Sequence, residues 1–167
     1  MRENFYIREI IESELNKCAE VIRKSFATVA KEFNLTRENF PNHRSFLQTE
    51  RLVNDRKFGI MQFGLFIRDN NYDVLAGFVA LKKLEEKIYE LEMLSVLPEF
   101  RHNNFGRALI DFAKRKVKEL DGNKIKIDII EENTVLKNWY ASNGFIHMGT
   151  EILPHLPFTR GYMEVDI

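Results

Sequence analysis

The chain has 167 residues, 44% of them apolar and 30% charged, with 25 Lys and Arg balancing 25 Asp and Glu. That length suits one domain with a real core and is short for two, so a single domain over residues 1–167 is expected. Zero net charge excludes the basic excess of a nucleic-acid binder, no apolar run is long enough to span a membrane, and charges through residues 1–20 argue against a leader, which points to a cytoplasmic protein.

Phe5 to Ile10 is predicted as a first strand. Ser13 offers an N-cap, and Leu15, Cys18, Ala19, Ile22, Phe26, Val29 and Ala30 then recur at helical spacing. The lone Cys18 has no disulfide partner and reads as a small core residue rather than a nucleophile. His43 to Asn54 predicts a second helix. Phe58 to Ile67 and Asp73 to Leu81 are strand-like, with Asp69, Asn70 and Asn71 as the turn of a hairpin. Lys82 to Lys87 is a charged connection, and Ile88 to Val96 is a strand stopped by Pro98. Ala108, Leu109, Phe112, Ala113, Val117 and Leu120 form the apolar stripe of a helix over Gly106 to Leu120, ended by Asp121, Gly122 and Asn123. Ile125 to Ile130 is a strand, Thr134 to Ser142 a short helix closed by Asn143 and Gly144, and Phe145 to Glu151 a further strand. Pro154 and Pro157 mark a loop, and Tyr162 to Asp166 is predicted as a final edge strand. The strands flanking the Gly106–Leu120 helix make a βαβ unit and should be parallel, whereas the earlier hairpin makes the sheet mixed.

The segment between the fourth strand and the third helix carries the strongest chemical signal. After Pro98 come Glu99, Phe100, Arg101, His102, Asn103, Asn104, Phe105, Gly106 and Arg107. A polar loop opening straight into a helix presents unpaired backbone N–H groups at the positive end of the helix dipole, suited to a phosphate or pyrophosphate. The bland alternative is an ordinary strand-to-helix turn with solvated arginines. A second segment follows, from Asn133 through Trp139, Tyr140 and Asn143 to Gly144 and Phe145. Asn133 and Tyr140 lie about two helical turns apart and so near one helix face. Taken singly, Asn133 reads first as an N-cap and Tyr140 first as core.

Together the two segments resemble the GNAT family of acyl-CoA-dependent N-acetyltransferases. Arg101, Asn104 and Gly106 follow that family's phosphate loop, which runs Gln or Arg, two residues, Gly, one residue, then Gly or Ala. Asn104 stands where the first glycine is usual, and asparagine tolerates the left-handed conformation better than most residues. Asn133 to Phe145 is similar to the family's later motif of Asn, helix, Tyr and Gly-Phe. The resemblance covers Tyr72 to Phe145 well and the N-terminal third only in the order of its elements.

The resemblance implies an α/β fold, a mixed central sheet of six to seven strands flanked by about four helices, with the Ile88–Val96 and Ile125–Ile130 strands splayed to admit acetyl-CoA. By the family pattern the backbone of Leu94, Ser95 and Val96 pairs with the pantetheine arm, much as an added strand pairs with an open edge. Arg101 and the run His102, Asn103, Asn104, Phe105, Gly106 and Arg107 hold the pyrophosphate, Asn133 hydrogen-bonds the pantetheine, and the N–H near Val96 polarises the thioester carbonyl. The acceptor is an amine. Tyr140 is the candidate acid for the leaving thiolate. For the base, Glu90 is taken first, because its even spacing from Leu94 and Val96 puts it on their strand face. Glu92 and Asp128 are alternatives, as is a water relay, and each carboxylate alone reads first as a solvated or salt-bridged strand residue. His43, His147 and His155 have no metal-ligand spacing, so no metal is expected. His155 belongs to a stiff loop near the acceptor side that reads as packing.

Two rivals stand beside the enzyme reading. One is a degenerate member that binds acyl-CoA as a sensor or docking module, and the other a nucleotide binder unrelated to CoA. Exposed strand edges make a homodimer compatible with the sequence.

Overall fold

In the computed structural model, which describes residues 4–167, seven strands form one mixed sheet in the order β1-β2-β3-β4-β5-β7-β6. Residues 1–3 of the expected domain, and the part of the leader reading that falls on them, lie outside the described residues. The strands are β1 (Phe5–Glu9), β2 (Met61–Ile67), β3 (Val74–Lys83), β4 (Ile88–Val96), β5 (Lys124–Ile130), β6 (Ile146–Glu151) and β7 (Arg160–Asp166). The helices are α1 (Leu15–Glu32), α2 (Thr49–Lys57), α3 (Phe105–Glu119) and α4 (Thr134–Ser142). Among the described residues only β4 and β5 pair in parallel, and α3 makes the crossover between them, as the βαβ reading requires.

The sheet carries a core on each face. On one side α3 buries Leu109, Ile110, Ala113 and Val117 against Val79, Leu81, Tyr89, Leu91 and the isoleucines of β5. On the other, α1 packs Leu15, Cys18, Ala19 and Ile22 against Phe78, Ala80 and Met93. Cys18 has no exposed surface, and burial pushes its thiol up to about 12, so it is core material and no nucleophile.

Four expectations change. The helix expected over 43–54 divides, because the His43 ring caps a 3₁₀ turn over Arg44–Phe46 and buried Leu47 adopts an extended backbone before α2 begins at Thr49. Phe58 and Gly59 belong to the end of α2 rather than to β2, since Gly59 takes φ +81 there and Phe58 is left exposed. Ser13 is not a cap. A 3₁₀ turn over Glu12–Glu14 leads into α1, and the Glu14 carboxylate accepts from the Ile11 N–H and pairs with Arg8. The last strand is not an edge: β7 lies between β5 and β6, which leaves β6 outermost with most of its residues exposed.

Candidate active site

A cleft opens where β4 and β5 part. The two strands pair only at Ile88, Tyr89 and Glu90 with Lys124, Ile125 and Lys126, and beyond that point β4 runs on to Val96 and β5 to Ile130 without pairing to each other. The splay comes with a β-bulge. Phe78 pairs with Ser95 but Ala80 with Glu92, so Val79 faces both Met93 and Leu94, and Met93 takes φ 54. The Leu97 N–H is donated to Ala76 O on the β3 side. By strand alternation the amide of Val96 turns to the open side, toward the cleft.

The bulge corrects one sequence argument. Leu94 and Val96 pack toward the α3 layer, as do Tyr89 and Leu91, whereas Glu90 and Glu92 share the opposite face with Ala80. One extra residue at Met93 inverts the parity, so even spacing does not put Glu90 on the face of Val96. Ser95 is buried, and its hydroxyl donates to Met93 O at 2.9 Å within the bulge.

The loop beyond β4 has the shape of an anion cradle. A 3₁₀ turn over Pro98–Phe100 is followed by two left-handed residues, His102 at φ 64 and Asn104 at φ 61. Asparagine therefore does take the conformation for which the family pattern has glycine. The Asn104 side chain makes no cap bond, and the first intrahelical bond runs from Ala108 N to Asn104 O. The amides of Phe105, Gly106 and Arg107 thus form the free N-terminal turn of α3. Gly106 packs closely under Trp139, whose ring would stand 3.1 Å from a Cβ at this position. Phe105 packs edge-on against Phe5, and Asn103 ties the loop down through Phe100 O and Arg101 O. His102 and Arg107 are exposed. Arg101 turns away from the loop: its guanidinium donates to Ser25 O at 2.9 Å and Thr28 Oγ1 at 3.1 Å, clamping the loop to α1. No sequence spacing announced that clamp.

On the α3 side of the sheet, Asn133 and Tyr140 come from the start and the last turn of α4. Asn133 Oδ1 accepts from the Leu136 N–H at 3.2 Å, so the residue caps the helix and is buried. Tyr140 is 7% exposed, set edge-on between Trp139 and Phe145, and its hydroxyl makes no hydrogen bond with any described residue. Burial holds the phenol above its ordinary pKa.

The carboxylates occupy the other face. Glu90 is half-buried and pushed up to about 7, first by burial and then by Glu92. Asp128 is also raised, first by desolvation, while Arg160 at 3.8 Å opposes the shift. Both line a cavity of about 420 Å³ with Leu84, Lys126, Met148 and Tyr162. Nearby, Phe158 of the Pro154–Pro157 loop packs edge-on against Phe40, whose ring in turn meets His43. His155 is exposed on that loop. Among the described residues no group of His, Cys, Asp or Glu is placed to hold a metal ion, and no helix is long and apolar enough to cross a membrane.

The profile of the acetyltransferase (GNAT) family matches residues 26–145. The chain belongs to the GNAT family. It is an acetyl-CoA-dependent N-acetyltransferase, with acetyl-CoA as co-substrate. An uncharacterized N-acetyltransferase from the pepI 3′ region of Lactobacillus delbrueckii subsp. lactis is 25% identical over 157 residues, which is 87% of each chain. The PaiA N-acetyltransferase of Thermoplasma acidophilum, crystallised with coenzyme A, superposes with TM-score 0.76 at 21% identity and covers 98% of this chain and 99% of its own. Spermidine N-acetyltransferase of Vibrio cholerae, crystallised with CoA and spermine, gives TM-score 0.70 at 16% identity over 99% and 96%. The seven-stranded mixed sheet with its four helices is thus the family fold.

Proposed function

We propose that this GNAT protein moves the acetyl group of acetyl-CoA to a primary amine of a small molecule or peptide, by direct attack within a ternary complex. The observation that carries the reading is the β4–β5 cleft, with an open strand edge along one wall and the left-handed loop of α3 at its mouth. The backbone amides of His102 to Arg107 suit the pyrophosphate, with Arg101 fixing the loop to α1 rather than touching phosphate. The open edge of Leu94, Ser95 and Val96 suits the amides of the pantetheine arm, and the Asn133 side-chain amide lies at the start of α4 to meet it.

The two faces of the sheet divide the chemistry. Glu90 receives the proton that the attacking nitrogen loses, and its raised pKa makes it a competent base near neutrality. The Val96 N–H stabilises the oxyanion that forms on the acetyl carbonyl. Tyr140 hydrogen-bonds the departing sulfur from the opposite side. A thiol ionises near 8.5 and a phenol near 10, so a phenol held higher still keeps its proton. Its contribution is a hydrogen bond to the thiolate rather than proton delivery. The V. cholerae relative, crystallised with spermine, supports an amine as the acceptor class.

Initial rates measured against acetyl-CoA at several acceptor concentrations test the mechanism. Intersecting reciprocal plots are expected for direct attack. Parallel plots, with acetyl left on the protein after gel filtration, would replace it with an acetyl-enzyme route.

A further inference from the structure

The cavity of about 420 Å³ on the carboxylate face has a polar lining in which nearly every group already has a partner. Glu164 accepts from Lys124 Nζ at 2.7 Å, Asp128 faces Arg160 at 3.8 Å, and the Tyr162 hydroxyl donates to Glu151. Two charged groups of the lining are left over, Glu90 and Lys126. Lys126 makes no hydrogen bond and no ion pair with any described residue. Glu90 makes no ion pair either, its near neighbour Glu92 being a second carboxylate. The two stand directly opposite each other in the last paired step of β4 and β5, just before the strands part. Ile125, Ile127 and Ile129 pack into the α3 core, so alternation puts Lys126 on the face of Glu90.

Opposite charges side by side over an open cavity, and not bridged to each other, match a molecule that carries both signs itself. Its ammonium suits Glu90, the base of the transfer, and its anionic group suits Lys126 on the next strand. A linear diamine would set its second ammonium against Lys126, or against carboxylates that already hold a cation. A neutral amine would gain nothing from Lys126. Lys82, on the other side of Glu90, is exposed and is not part of the lining. The cavity also has an apolar wall, where Leu84 and Met148 line it with 42% and 56% of their surface exposed. Its volume lies within the range of ordinary small-ligand sites, roughly 300–1,000 Å³. Beside the two charges there is thus room for an apolar side chain.

We propose that Lys126 sets acceptor specificity by binding the carboxylate of an amino acid with an apolar side chain, its amino group against Glu90 and its side chain over Leu84 and Met148. This rests on the acetyltransferase reading of the same cleft. The ammonium first gives one proton to Glu90 and through it to solvent. The nitrogen then attacks, the N–C bond forms and the thioester C–S bond breaks. The second nitrogen proton passes by Glu90 to the released thiolate, so the step needs no other reactant.

The test measures thiol release by the full chain with acetyl-CoA and leucine, methionine, their carboxamides or a linear diamine. The two amino acids are expected to exceed their carboxamides about tenfold or more in kcat/KM, the effect of one charged hydrogen bond. Lys126→Met, which keeps the apolar stem without the charge, should erase that preference through a similar rise in the amino-acid KM, with the acetyl-CoA KM within about twofold of wild type. Lys126→Arg should recover part of it. Lys126→Glu should turn the preference toward the diamine. Carboxamides or diamine equal to the amino acids in the wild-type protein, or a Lys126→Met loss shared by every acceptor, would overturn the proposal. If no panel member turns over, calorimetry of leucine with the protein–CoA complex decides, since Lys126-dependent binding supports the proposal and its absence overturns it. Wild-type protein that fails to bind acetyl-CoA would instead bring down the acetyltransferase reading itself.

Discussion

Glu90→Gln should make the protein more stable and far less active. Glu90 is held at about 7 against an ordinary 4.5, because it is half-buried and close to Glu92. Its charged form is therefore disfavoured by folding. The folded state binds this proton more tightly than the unfolded chain, so stability is full below the unfolded value and declines as pH rises through 7. The gap between the two values corresponds to at most about 3 kcal/mol. Residual hydration and the shared charge with Glu92 reduce it to roughly 1–2 kcal/mol at pH 8. A glutamine fills the same space, can donate to Glu92 and is never charged. Denaturant melts should show the variant more stable by that amount at pH 8 and level with wild type near pH 4. Wild-type kcat/KM should rise with pH and level off above about 7, whereas the variant should lose this limb and fall about 100-fold, the lower range for a lost general base. A variant that keeps the limb near 7, or that is less stable at pH 8, would refute both the base assignment and the burial argument behind it.

Tyr140→Phe should lower turnover more than tenfold and leave acetyl-CoA affinity within twofold, as kinetics beside calorimetry would register. Its stability should be unchanged or raised, because the hydroxyl has no hydrogen-bond partner among the described residues to lose. Asn104→Gly should keep acetyl-CoA affinity and stability, since glycine adopts φ 61 freely, whereas Asn104→Val should cost about 1–2 kcal/mol in a denaturant melt. Gly106→Glu should lower acetyl-CoA affinity more than 100-fold in calorimetry, by setting a carboxylate at the helix N-terminus and pressing on Trp139. Gly106→Ala, which asks only that Trp139 yield a few tenths of an ångström, should retain most of it.

Local signals carried much of this fold. The apolar stripe of α3, the strands on either side of it and the Asn143–Gly144 stop of α4 were all legible, because each is written within a few residues. The left-handed Asn104 was legible too, since one residue type and one position determine it. What escaped depends on distant partners. The face of Glu90 turns on a bulge that only the β3–β4 register reveals. The interior place of β7 is decided by its pairing with both β5 and β6, which no local pattern encodes. Arg101 matched a phosphate motif, yet its guanidinium serves α1, because Ser25 and Thr28 lie within reach only once the chain is folded.

Calorimetric titration of the purified protein with acetyl-CoA, with ATP as control, tests the central claim most directly. Selective binding near micromolar, about 8 kcal/mol, that Gly106→Glu abolishes is the predicted result. Equal affinity for ATP, or full affinity in the Gly106→Glu protein, would contradict the assignment of the β4–β5 cleft and the Arg101–Arg107 loop as the acetyl-CoA site.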